Sequence, residues 1–160
     1  MSRVLGIDPG LANAGWGVID VDGNRLTYVA HGSISTDSKI PAPVRLKEIF
    51  DQLSIIIEKF KPVEAGMETL YFAKNVKTAL PVAEARGVLS LCMVQNGLML
   101  SEYTPLQIKQ AVVGNGRADK NQVQQMVKLI LGLDKIPKPD HAADALAAAI
   151  CHVHMRVLHV

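Results

Sequence analysis

The chain has 160 residues, 49% hydrophobic and 20% charged, enough to fill one core and too apolar for a disordered or collagen-like polymer. Its two cysteines, Cys92 and Cys151, lie in apolar stretches, which excludes a disulfide framework and a multi-cysteine zinc site. The net charge of +2 is unevenly spread: residues 1–70 hold 7 basic and 9 acidic side chains, residues 71–128 hold 7 and 3, and residues 129–160 hold 3 of each, so a polyanion partner is permitted but not required.

Val4 to Ile7 is an apolar run closed by Asp8-Pro9-Gly10, the pattern of a strand that ends in a turn with Asp8 at its tip. Gly15–Val21 and Leu26–Ser33 are rich in β-formers and flank Asp22-Gly23-Asn24, which predicts a hairpin and hence an antiparallel three-stranded meander. Trp16, the single tryptophan, is expected to pack within that hairpin. From Val44 to Phe60 the apolar residues recur at three- and four-residue spacing, predicting an amphipathic helix stopped by Pro62. Val63–Thr69 reads as a fourth strand with Glu68 near its end. A second helix then runs to Asn96-Gly97 and either starts near Pro81 or is kinked by it. Leu98–Tyr103 is a fifth strand, Thr104-Pro105 opens a brief helix, a helix from Asp119 stops at Gly132, and an Ala-rich helix starts at Asp140.

This order predicts an α/β fold of one domain, residues 1–160, with a mixed five-stranded sheet flanked by helices. Neither the N-terminal MSRVLGIDPG nor any later segment offers a signal-peptide run or the ~20 uninterrupted apolar residues of a membrane span. A cytoplasmic location with no membrane partner is therefore expected.

A return through the first long helix makes strands one and four parallel neighbours, which brings Asp8 and Glu68 side by side at their carboxyl ends. Two adjacent carboxylates repel unless a cation sits between them, and oxygen donors suit a hard divalent ion such as Mg²⁺. On the last helix His141 and Asp144 are three residues apart and share a face, so they complete a candidate cluster. Asp8, Glu68, His141 and Asp144 together would serve two metal ions in phosphodiester hydrolysis.

The blocks LGIDPG (5–10), METLYFAKN (67–75), EARGV (84–88), IKQAVVGNGRADKNQVQQMV (108–127) and HAADALAAAI (141–150) follow one another in an order that resembles the RuvC-type Holliday-junction resolvases. The resemblance spans nearly the whole chain. It implies a ribonuclease H-like fold and a Mg²⁺-dependent homodimeric endonuclease that nicks four-way DNA junctions symmetrically, working with a RuvA–RuvB branch-migration complex. It also implies that Asp8, Glu68 and Asp144 are the catalytic carboxylates. Many relatives carry aspartate where this chain has His141, and because imidazole suits transition metals, Mn²⁺ is expected to support activity as well. Asp140 is expected to cap the last helix, with a place among the metal ligands as the alternative.

Lys74, Lys77, Arg86, Lys109, Arg117 and Lys120 supply positive charge for phosphates, and Tyr71 with Phe72 follow Glu68 as candidates to stack on or wedge between junction bases. Singly, each of these is more often a solvated charge or a piece of core. His152 and His154 do not share a helix face, so no metal site is expected there. The expected homodimer would use the apolar helix around Val82–Val94. Two rivals remain at this point. An actin-like or sugar-kinase phosphate-binding lobe fits the opening strand and turn but lacks a second lobe, and a non-catalytic junction-binding module would need the basic residues alone.

Overall fold

The computed structural model describes residues 1–69 and 76–156. Its elements, in chain order, are β1 (Ser2–Asp8), β2 (Asn13–Asp22), β3 (Arg25–Ser35), α1 (Ala42–Phe60), β4 (Glu64–Glu68), α2 (Val76–Gln95), β5 (Met99–Tyr103), α3 (Pro105–Val113), α4 (Lys120–Leu131) and α5 (Asp140–Arg156). The strands form one sheet in the order β3-β2-β1-β4-β5. The β1–β2 and β2–β3 pairs are antiparallel, whereas β1–β4 and β4–β5 are parallel. The two parallel pairings are reached through α1 and α2, as parallel neighbours require a crossover.

Strand alternation sorts the side chains into two layers. Leu5 and Ile7 of β1 and Ala65 and Met67 of β4 face α1 and α2, where Ile49, Leu53, Ala85 and Leu89 close one core. Val4 faces the other way, into a second core with Tyr103, Ile108, Val127 and the alanine stripe of α5. By the same parity Gly6 and Asp8, and Gly66 and Glu68, belong to the α5 side.

Three glycines on that side make the second core unusually close. Gly17, Gly6 and Gly66 are neighbours across β2, β1 and β4, and α5 lies directly on them. A Cβ at Gly6 would stand 1.9 Å from the carbonyl oxygen of Ala145, and one at Gly15 would stand 1.9 Å from that of His141. Glycine inside a strand marks such a backbone approach. The helix answers with alanines at 142, 145, 148 and 149, all fully buried. Glycine below and alanine above therefore fix the height of α5 over the sheet, and with it the height of everything on the first turn of α5.

The hairpin turns at Gly23, φ 58°, with Asp22 paired to Arg25. An irregularity between Val18 and Ile19 leaves Val29 as an extra residue in β3, so Tyr28 and His31 come to the same face although they are three apart. Trp16 packs within the hairpin over Gly32 and also meets the ring of Phe60, at 5.6 Å between centroids. Thr104 with Gln107 and Asp119 with Gln122 form capping boxes on α3 and α4, and Gly114 and Gly132 close those helices in the left-handed conformation. Pro81 lies inside α2, which already runs from Val76. Among the described residues no helix is long and apolar enough to cross a membrane, and Cys92 and Cys151 are free and buried.

Candidate active site

Asp8 is the last residue of β1, Glu68 the last of β4, and His141 and Asp144 lie on the first turns of α5. Since Ile7 pairs with Met67, the next residue of each strand arrives at the same end of the sheet. The carboxyl groups of Asp8 and Glu68 are close enough to exchange a side-chain hydrogen bond when one is protonated. His141 Nδ1 is 3.1 Å from Asp8 Oδ2. One ligand atom from each of Asp8, His141 and Asp144 lies within 4.8 Å of the others, a spacing able to hold a metal ion.

The electrostatics of this cluster are those of a site built around positive charge. Burial, then the charges of Asp8 and Asp144, push the Glu68 carboxyl up to about 7. Burial, then Asp8, raise Asp144 to about 6, against the pull of Lys120 and His141. Asp8 is raised as well, chiefly by burial, with His141 opposing. Oxygen donors with one imidazole suit a divalent ion, and three crowded carboxyls with elevated pKa values are what such an ion would relieve.

Beside the carboxylates opens a cleft of about 230 Å³ whose lining includes Glu68, Asp144, Lys109, Lys120, Ile108 and Pro105. Lys120 Nζ stands 3.8 Å from Asp144 Oδ2 and 3.3 Å from Asp140 Oδ2. Burial disfavours its ammonium, but Asp144, Asp140 and Asp8 outweigh that and raise its pKa. Lys109, on α3, lines the same cleft and favours the ionised form of Glu68.

The remaining basic candidates are spread more widely. Arg117 is exposed in the turn between α3 and α4, where its amide donates to Asn115 Oδ1 at 2.9 Å. Lys77 is exposed at the start of α2, and Arg86 pairs with Glu102 from α2, a helix that packs on the sheet face opposite α5. Tyr71, Phe72 and Lys74 lie outside the described residues. His152 is a buried bridge: its Nδ1 meets Tyr103 Oη at 2.8 Å and its Nε2 meets Glu64 Oε2 at 3.3 Å.

Two supports of the site are absent from any motif. His31 Nε2 donates to the carbonyl of Lys138 at 3.0 Å, because a carbonyl can only accept. Nδ1 of the same ring shares a hydrogen bond of 2.7 Å with Tyr28 Oη. This pair ties β3 to the turn that launches α5. Asp140, the first residue of α5, takes up Lys120 and, at Oδ1, Lys138 Nζ at 3.4 Å and Gln124 Nε2 at 3.3 Å.

Residues 4–152 match the family model described as crossover junction endodeoxyribonuclease RuvC. The chain is 55% identical over 152 residues to a protein of that name from Treponema denticola, covering 95% of this chain and 85% of the relative. It is 54% identical over 151 residues to its namesake from Finegoldia magna, covering 94% and 92%. The fold superposes on Thermus thermophilus RuvC in complex with Holliday junction substrate with a TM-score of 0.94 and 32% identity, over 99% of this chain and 97% of that one.

Proposed function

The chain belongs to the RuvC family of crossover junction endodeoxyribonucleases, and from that premise we propose how its cleft resolves a four-way DNA junction. The protein is a Holliday-junction resolvase, an endonuclease of recombination and repair. The observation that carries the mechanism is that Asp8, His141 and Asp144 meet closely enough to hold an ion, with Glu68 beside Asp8, at a cleft also lined by Lys109 and Lys120. Negative groups that would hold cations thus stand directly beside positive groups that would hold phosphate, Lys120 Nζ being 3.8 Å from Asp144 Oδ2.

The four residues would hold two divalent ions, Mg²⁺ with Mn²⁺ as an alternative, Asp8, Glu68 and Asp144 through carboxylate oxygens and His141 as a further ligand or as an aid to deprotonating the attacking water. When bound, such a pair supplies an activated water and neutralises the charge that builds on the phosphate. The lysines do the rest. Lys120 and Lys109 take the non-bridging oxygens of the strand to be cut, and Arg117, at the mouth of the same loop, extends the basic path. Lys77 and Arg86 on α2, together with Tyr71, Phe72 and Lys74, are proposed to meet DNA beyond the cut, where accessible bases at the crossover can be stacked upon.

Paired symmetric nicks need two sites, so the working form is proposed to be a C2 homodimer. Supporting this reading, α2 exposes Leu80, Leu91 and Val94, an apolar face that one copy leaves in water. Each copy would be a single catalytic domain acting in the cytoplasm, with RuvA–RuvB as the branch-migration partner that the family implies. Cleavage of a labelled four-way junction by the wild-type chain and its Glu68→Gln variant tests the reading, since only the former should cut.

A further inference from the structure

We infer that Asp140 is a positioning residue for Lys120, holding its ammonium off Asp144 so that Asp144 stays free for a metal ion and Lys120 for phosphate. The inference rests on the metal-site reading above. Lys120 Nζ has two carboxylates in reach and is nearer to Asp140, at 3.3 Å, than to Asp144, at 3.8 Å. Without Asp140, the remaining attraction draws Lys120 onto Asp144, where the ammonium competes with any cation for the same oxygens.

Asp140 is built to stay in place. Its other oxygen is held by Gln124 Nε2, and Gln124 is a buried amide, 7% exposed, one helical turn beyond Lys120 on α4. Lys138 approaches that same oxygen from the turn before α5, and the carbonyl of Lys138 is in turn fixed by His31. The carboxylate thus joins α4 to the start of α5, with one oxygen committed to structure and the other facing Lys120. The Asp140 side chain is 47% exposed, yet its two oxygens have different partners.

The test is Mn²⁺ binding to the DNA-free protein, read by calorimetry, in a double-mutant cycle of Asp140→Asn and Lys120→Met. Asparagine keeps the acceptor for Gln124 and removes both the charge and the acceptor oxygen that faces Lys120. Asp140→Asn should weaken Mn²⁺ binding by about 3- to 5-fold, the range of a partly exposed ion pair. In the Lys120→Met background the same change should alter binding by less than about 1.5-fold, because the competitor is gone. Equal weakening in both backgrounds would mean that Asp140 acts only as a nearby negative charge and would overturn the inference, as would no weakening with Lys120 present. Should Asp140→Asn melt early, Asp140→Ser in the same cycle carries the same expectations. Failure of the unsubstituted chain to bind Mn²⁺ would instead remove the metal site, and this role with it.

Discussion

His141 Nδ1 stands 3.1 Å from Asp8 Oδ2, joining the first turn of α5 to the end of β1 across 133 residues of sequence. The contact exists because α5 rests on a floor of glycine, and it places an imidazole where many relatives are expected to present a carboxylate. An imidazole brings less negative charge and a softer donor to the cluster. Replacing it by aspartate, His141→Asp, should raise Mg²⁺-supported cleavage relative to Mn²⁺-supported cleavage. Parallel assays in the two metals check this, and an unchanged ratio would show that His141 does not set metal preference.

The crowded carboxyls make the metal-free protein sensitive to alkali. Glu68 is held at about 7 and Asp144 at about 6 in the folded chain, while unfolding returns both to the ordinary carboxylate range, about 4. The folded state therefore binds more protons between these limits, so stability is greatest below the unfolded values and is lost as pH rises through 6 to 7. Melts in chelator should show Tm falling from pH 5 to pH 8, and Glu68→Gln should flatten that fall. For a chain of this size each kcal/mol recovered at pH 8 appears as about 2–4 °C. An identical pH slope in the variant would remove Glu68 from the buried cluster.

Gly6→Ala should be among the most damaging single changes in the sheet. The new methyl would have to share space with the Ala145 carbonyl, 1.9 Å away, and with backbone on both sides there is no side chain to swing aside. Overpacking of this kind costs about 1–3 kcal/mol, and more where the backbone must move. Denaturant unfolding measures it, and because α5 must rise, cleavage should fall further than stability alone explains. A variant as stable as wild type would show that α5 is not held at the height described.

Lys109→Ala should weaken junction binding and reduce its dependence on salt, because each phosphate contact contributes about one unit to the slope of log K against log salt. Binding titrations at several ionic strengths measure both. An unchanged slope would make Lys109 a wall of the cleft rather than a phosphate ligand.

The antiparallel meander, the parallel return through α1 and the convergence of Asp8 with Glu68 were legible in the sequence because alternation, turn residues and one long amphipathic helix each leave a local pattern. Gly6 and Gly66 also left a signal, glycine within a strand, but what lies over them is a matter of packing against α5, which is distant in sequence from both. His31 and Tyr28 left none: three residues apart on a regular strand they would face opposite ways, and only the extra residue at Val29 brings them together. Asp140 shows the same limit. Its position predicts a helix start, yet its partners Lys120 and Gln124 come from another helix. Local pattern reveals the frame of this site, while the struts that hold its charges in place are made by contacts between elements.

The most direct test of the account is cleavage of an end-labelled four-way junction in Mg²⁺ or Mn²⁺, beside linear duplex, flap and RNA–DNA hybrid controls and the Asp8→Asn, Glu68→Gln and Asp144→Asn variants. The account predicts paired nicks on opposing strands of the junction alone, abolished in all three variants while junction affinity is retained, since removing a carboxylate beside phosphate relieves repulsion. A variant that cuts at the wild-type rate, or a wild-type chain that binds the junction tightly and leaves it whole, would contradict the catalytic role assigned to the cluster.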